Sequence, residues 1–320
     1  MMKGQILGFD VLKIILALFV VAIHCWVKDS NYYLYQICQI AVPCFFVISG
    51  FLLEKQSEEN EYNKKYLKKI IRLYSIWVLI YFPFSLYQLF SSGKPFSESI
   101  YWYIRNIFIS GDFYQGWQLW YLLALIQVSI VLMILKKSYP GGHVWMMLAV
   151  CLIVIGISSY CQDNPFVKNG MNLVKKLYPN GRYVFLTGFV FMTLGALIAK
   201  CKIYRNYARF SFFMLVVSSV LYVYNVHFSI YLFSFSLVNF VALSKTYDKK
   251  MGEIALNLRK LSILIYLVHM IPLGIADIFW SHQMNFISLY TYGCLTSLIL
   301  SIFILRLSNH SRFIWLKNIW

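Results

Sequence analysis

Charge is scarce in this chain. Asp, Glu, Lys and Arg make up only 13% of its 320 residues, roughly half the share of a soluble globular protein. A chain of this length that folded in water would carry more charge and shorter apolar runs. The ten-residue alternating segments of a membrane β-barrel are absent as well. None of the seven cysteines (25, 38, 44, 151, 161, 201 and 294) forms a CxxC pair. They read as small apolar residues rather than as a disulfide framework or a metal site. Walker loops, dinucleotide-binding glycine patterns, HExxH and GxSxG are missing, which removes support for ATPase, hydrolase and metalloprotease readings. The chain has no internal repeat, no low-complexity tract and no aromatic–basic module of the kind that grips nucleic acid. No small-x-small cleavage site follows the first apolar segment, and Asp10 and Lys13 interrupt its start. That segment therefore reads as retained rather than as a cleaved signal.

What the chain has in excess is apolar and aromatic residues. It is 60% hydrophobic and 19% aromatic, in runs of about 18–22 residues. The fold class expected is all-α, a polytopic integral membrane protein forming one transmembrane domain over 1–320. Ten spans are expected near 6–27, 32–53, 70–90, 117–135, 143–161, 183–200, 210–226, 228–244, 261–281 and 287–307. The boundary between the seventh and eighth, at Asn225–His227, is the least defined. The net charge of +17 fits basic loops facing the anionic headgroups of the lipid bilayer rather than nucleic acid. With both termini cytoplasmic, the inner stretches hold 21 Lys and Arg and the outer ones seven, the bias that the positive-inside rule predicts. Residues 162–182 run against it, with four bases and one acid in a segment expected outside. The longer outer segments, 91–116 and 162–182, are rich in turn residues and read as covers for a cavity mouth.

The first span carries Asp10, Lys13 and His24. Eleven helical steps leave Lys13 and His24 only ~20° apart in azimuth and ~16 Å apart along the axis, and Asp10 lies ~60° to one side. A polar stripe of this length is costly in lipid and ordinarily faces a protein interior or a watery cavity. Snorkelling to the inner interface is the plain explanation for Lys13. It leaves His24 unexplained, and a membrane histidine serves either proton transfer or helix–helix hydrogen bonding. In the second span, Pro43 and Ser49–Gly50 suggest either local unwinding or close helix packing. Lys64, Lys65, Lys68, Lys69 and Arg72 then lead into the third span, either as a positive-inside anchor or as a landing site for a phosphorylated ligand. Trp117, Trp120 and Tyr121 read as an aromatic belt. In the ninth span Ser262, Tyr266 and His269 follow i, i+4, i+7 spacing and share a face. That second stripe either joins the first around a shared cavity or ties helices together.

Taken together, these segments resemble the membrane-bound acyltransferase type 3 family over nearly the whole chain. Asp10, Lys13 and His24 are similar to its first-helix Asp…Arg…His pattern, with Lys in place of Arg. FFVISGFLL (45–53), KKIIRLYSIW (68–77), LWYLLALI (119–126) and LSILIYLVH (261–269) follow in the family's order. The resemblance implies a multi-pass protein of a bacterial cytoplasmic membrane. It implies an O-acyltransferase that takes an acyl group, acetyl above all, from cytoplasmic acyl-CoA to a hydroxyl of a surface or extracellular glycan, with no metal. On that reading His24 is the catalytic base, with Asp10 and Lys13 beside it. Lys68, Lys69 and Arg72 meet CoA, and Ser49, Trp120, Ser262, Tyr266 and His269 are cavity candidates. Lys13 keeps the charge of the family's Arg but loses its planar, bidentate fork. A related branch, the membrane portion of vancomycin-resistance serine racemases, implies the alternative of a small-metabolite transport domain for L-serine-like molecules. A third reading is a membrane scaffold without catalysis.

Overall fold

The computed structural model describes residues 6–25, 30–56, 60–91, 93, 95–160, 164–178, 183–202, 208–224, 226, 228–244, 249–280 and 284–320. Cys161, Asn225 and His227 lie outside the described residues, as do Lys3, Lys28, Lys94, Arg182, Arg205 and Lys245 among the bases of the orientation count and Pro179 and Gly181 among the turn residues of 162–182. In chain order the α-helices are α1 (Leu7–His24), α2 (Tyr32–Gln39), α3 (Ala41–Lys55), α4 (Asn60–Ser91), α5 (Phe96–Arg105), α6 (Leu119–Ser138) and α7 (His143–Tyr160). They continue as α8 (Pro165–Leu177), α9 (Val184–Cys201), α10 (Ala208–Val223), α11 (Ser229–Val241), α12 (Lys249–Val268), α13 (Met270–Trp280) and α14 (Phe286–Leu307). A π-turn, Asn106–Ser110, follows α5. Among the described residues seven stretches are long and apolar enough to cross a membrane, and three more helices are apolar but shorter. Among the described residues there is no β-strand. The protein is a polytopic all-α membrane protein.

Several elements differ from the expectation, and for physical reasons. α4 starts ten residues before the apolar run, because Asn60–Lys69 is rich in good helix formers that hydropathy ignores. The same is true of α12, which begins at Lys249 rather than 261. The expected ninth span is two helices, broken at His269. Pro272 lacks the N–H that would bond the Val268 carbonyl, which weakens the ladder there. The segments 91–116 and 162–182 are helical over much of their described length rather than loop. They hold α5, the π-turn and α8. The chain does not unwind at Ser49–Gly50 either, since α3 runs through both. A Cβ on Gly50 would sit 2.1 Å from the Met192 carbonyl oxygen, so this glycine serves close packing of α3 on α9.

The chain packs as two compact units, one of residues 1–48 and 201–320 and the other of residues 49–200. In the first, α1 lies chiefly against α12 and also against α11 and α14. The amino end of α1 is held by the Ser244 hydroxyl, which accepts from the Gly8 N–H at 3.0 Å and satisfies one otherwise orphaned donor. Gly293 of α14 leaves room for Leu273 and Val21, which a Cβ would meet at 2.9 and 3.2 Å. The α10–α11 pair closes on a Tyr222–Phe233 stack with centroids 5.3 Å apart. Phe228, in the left-handed region at φ 65°, turns the chain between them. In the second unit α6 packs on α4, α7 and the π-turn. The π-turn's loosened carbonyls are collected by Tyr74 Oη (2.7 Å to Ile107 O) and Gln127 Nε2 (3.1 Å to Phe108 O).

Candidate functional site

The first unit brings the two polar stripes together. Asp10, on the first turns of α1, is buried. Its carboxylate is gripped by Arg259 of α12, with Nε donating to Oδ1 at 3.0 Å and Nη2 to Oδ2 at 2.9 Å. This is the planar fork-on-carboxylate geometry that only arginine offers. The Asp10 side chain is 2% exposed and that of Arg259 23%. Ser262, one turn on, donates its hydroxyl to the Arg259 carbonyl at 2.9 Å, so it braces the helix that carries the arginine. Lys13 is half-buried on α1.

At the other end of α1, half-buried His24 faces His269, with ring centroids 5.2 Å apart and planes tilted by 37°. His269 is fully buried at the α12–α13 break. Its Nδ1 lies 2.8 Å from the Tyr266 carbonyl and 3.2 Å from that of Ile265. Carbonyl oxygens only accept, so Nδ1 carries the proton, and in the neutral ring Nε2 bears the lone pair. Among the described residues that Nε2 has no hydrogen-bond partner. The Tyr266 ring packs between Phe45 (5.7 Å) and His269 (6.2 Å). A buried acceptor without a donor is expensive, and in native proteins it calls for an explanation.

The other candidates belong to the second unit. Lys68, Lys69 and Arg72 are exposed on α4. With Lys64 and Lys65 they fall on an arc of about 140°, and Lys65 pairs with Glu61 at 2.7 Å. Such a face fits an anionic phosphate group. Ser49 Oγ lies 3.1 Å from Tyr121 Oη, which joins α3 and α6 through two hydroxyls. Trp120 supports the backbone at Gly111, where a Cβ would stand 2.5 Å from its Cα.

Three polar groups went unseen in the sequence. Arg259 counted there only as an inner-loop base. Yet Arg259, Ser262, Tyr266 and His269 fall within about 80° of one another on a helix, and that spacing was the available signal. His143 Nε2 meets Glu54 Oε2 at 2.9 Å, a largely buried pair from α7 and α3. The two are 89 residues apart, and no periodicity links them. Arg105 leans over the Trp102 ring at 4.2 Å and donates to Asn106 Oδ1 through Nε and Nη2. Burial pulls its pKa below the ordinary range, and the Asp112 carboxylate works against that shift.

A family model described as "Acyltransferase domain" matches residues 6–306. Among curated proteins, an "Amino-acid racemase" of Enterococcus faecalis is 33% identical over 190 residues, covering 55% of this chain and 26% of the relative. A "Serine/alanine racemase" of Enterococcus gallinarum is 26% identical over 226 residues, covering 65% of this chain and 31% of the relative. The chain thus spans less than a third of the length of either relative. No solved structure matches.

Proposed function

The chain belongs to the acyltransferase domain family, and on that premise we propose that it is an integral-membrane O-acyltransferase. It takes an acyl group, acetyl in the first instance, from cytoplasmic acyl-CoA to a hydroxyl of a cell-surface or extracellular glycan. The observation that carries this reading is the His24–His269 pair, 5.2 Å apart. His24 is the base and takes the acceptor's hydroxyl proton. The acceptor oxygen bonds the acyl carbon, the carbon–sulfur bond breaks, and the proton leaves with the thiol. While His24 holds that proton, the lone pair on His269 Nε2 offers the imidazolium an acceptor. His269 is then a positioning residue, held in the required tautomer by Tyr266 and Ile265, as a carboxylate holds the histidine of a hydrolase triad. Asp10 and Arg259 neutralise each other and fix α1 against α12, so that His24 and His269 keep their spacing. Lys68, Lys69 and Arg72 are the residues for the CoA phosphates. The test is acyl transfer by the full chain in proteoliposomes. His24→Ala is expected to abolish turnover, and full retained activity would sink the assignment.

The curated relatives, named racemases of amino acids, leave open one second reading, a membrane domain that moves a serine-like amino acid. Uptake of labelled L-serine with no consumption of acyl-CoA would select it over acyl transfer.

A further inference from the structure

Among the described residues nothing folds over the apolar face of α8. Taking Pro165 as the origin, Leu173, Leu177, Val174, Val167 and Met171 fall between about 80° and 240° around the helix. Lys175, Lys168, Asn172, Lys176 and Asn169 fill the complementary arc from about 280° to 40°. The division between the two faces is complete. In a soluble helix the apolar arc would be buried. Here Leu173, Leu177 and Met171 are 61%, 40% and 36% exposed. α8 is also tethered tightly. Residues 161–164 join it to apolar α7, and residues 178–183 join it to α9, a membrane-crossing helix. Both tethers are too short to let it leave the membrane surface. Tyr178 and Tyr183 meet edge to face at its carboxyl end, centroids 6.2 Å apart, as tyrosines do at headgroup level.

We propose that α8 is an in-plane membrane anchor. Its apolar face sinks to the acyl-chain boundary, and Lys168, Lys175 and Lys176 bind anionic phospholipid headgroups. Charge complementarity selects this occupant: three cations and no acid lie on the polar face. The basic excess of residues 162–182, which runs against the orientation count, then has a function at the outer surface. It is a lipid contact and not an orientation signal.

Nitroxide side chains placed singly along 165–177 test this in the full chain. The background is depleted of cysteine and remains monodisperse on size exclusion, and the protein is reconstituted in phosphatidylcholine vesicles with or without phosphatidylglycerol. Oxygen accessibility is expected to peak at positions 173, 174 and 177. A water-soluble nickel chelate is expected to reach 168, 172 and 176, with a period near 3.6. Withdrawing phosphatidylglycerol is expected to lower the oxygen peak at 173. The combined variant Lys168→Gln, Lys175→Gln and Lys176→Gln is expected to erase that lipid dependence while leaving the phosphatidylcholine profile intact. Equal access of the chelate to 173 and 176 would overturn the proposal, because α8 would then lie in water. Exclusion of both reagents from 173 and 177 would also overturn it, because protein, such as a second copy, would then cover the face. A profile indifferent to phosphatidylglycerol would overturn the headgroup assignment. None of these outcomes depends on acyl transfer.

Discussion

Replacing Arg259 by methionine should cost far more than replacing its partner, although the two make the same ion pair. Their surroundings differ. Arg259→Met takes the bidentate arginine from the Asp10 carboxylate, whose side chain is 2% exposed and cannot reach water. Breaking a buried pair in this way costs about 3–5 kcal/mol. Asp10→Leu takes the carboxylate from a guanidinium that is 23% exposed and sits on a long stem that can move toward the headgroups, so a cost of about 1–2 kcal/mol is expected. The double variant removes both charges and leaves apolar volume between α1 and α12. It should fall within about 1 kcal/mol of the parent, which sets the coupling at roughly 3–8 kcal/mol. The assay is reversible unfolding in mixed micelles, followed through the fluorescence of the protein's nine tryptophans. Equal single costs would refute the burial argument. Additivity within about 0.5 kcal/mol would refute the pairing itself.

Gly50→Ala should destabilise by about 1–3 kcal/mol or more, since the new methyl would stand 2.1 Å from a main-chain oxygen of α9. Gly156→Ala, where nothing lies within 4 Å of the added atom, should stabilise by about 0.5–1 kcal/mol. Thermal midpoints in one detergent compare the two, and a similar response to both would contradict the packing. His269→Leu should change stability by no more than about 1 kcal/mol, because it removes a buried unsatisfied nitrogen along with one hydrogen bond. It should cut kcat by about 100-fold or more with KM unchanged, and His269→Gln, which returns an acceptor oxygen, should recover part of that. A loss of kcat that tracks the loss of folded protein would make His269 merely structural. Tyr74→Phe, which releases the Ile107 carbonyl of the π-turn, should cost about 1–2 kcal/mol by denaturant midpoint.

The helical membrane class was legible because lipid imposes a length on every apolar helix, and among the described residues seven stretches are long and apolar enough to cross, with three shorter apolar helices beside them. The two polar stripes were legible for the same reason: a polar residue in a membrane helix must have a destination. Both stripes do converge, Asp10 on the second through Arg259 and His24 on the second through His269. The charge ledger was the source of one error. A base at the end of a span reads as an orientation signal, and Arg259, ten positions before the His269 break, was counted there and not in the site. Turn residues caused another. Gly170 and Pro165 suggested a loop, yet Pro165 opens α8 as a first-turn proline and the flanking pattern is fully helical.

The break at His269 is the feature that hydropathy alone could not have placed, and it matters most for the chemistry. An unbroken helix would leave the carbonyls of Ile265 and Tyr266 to the backbone ladder. Here they also receive the imidazole Nδ1–H. The lone pair of Nε2 is thereby turned away from its own helix, on a ring that faces His24. Pro272, three residues on, makes the break local and cheap. The sequence LVHMIPL therefore encodes more than an apolar span carrying one polar residue. It specifies which nitrogen of that histidine is bonded to its own helix and which keeps its lone pair.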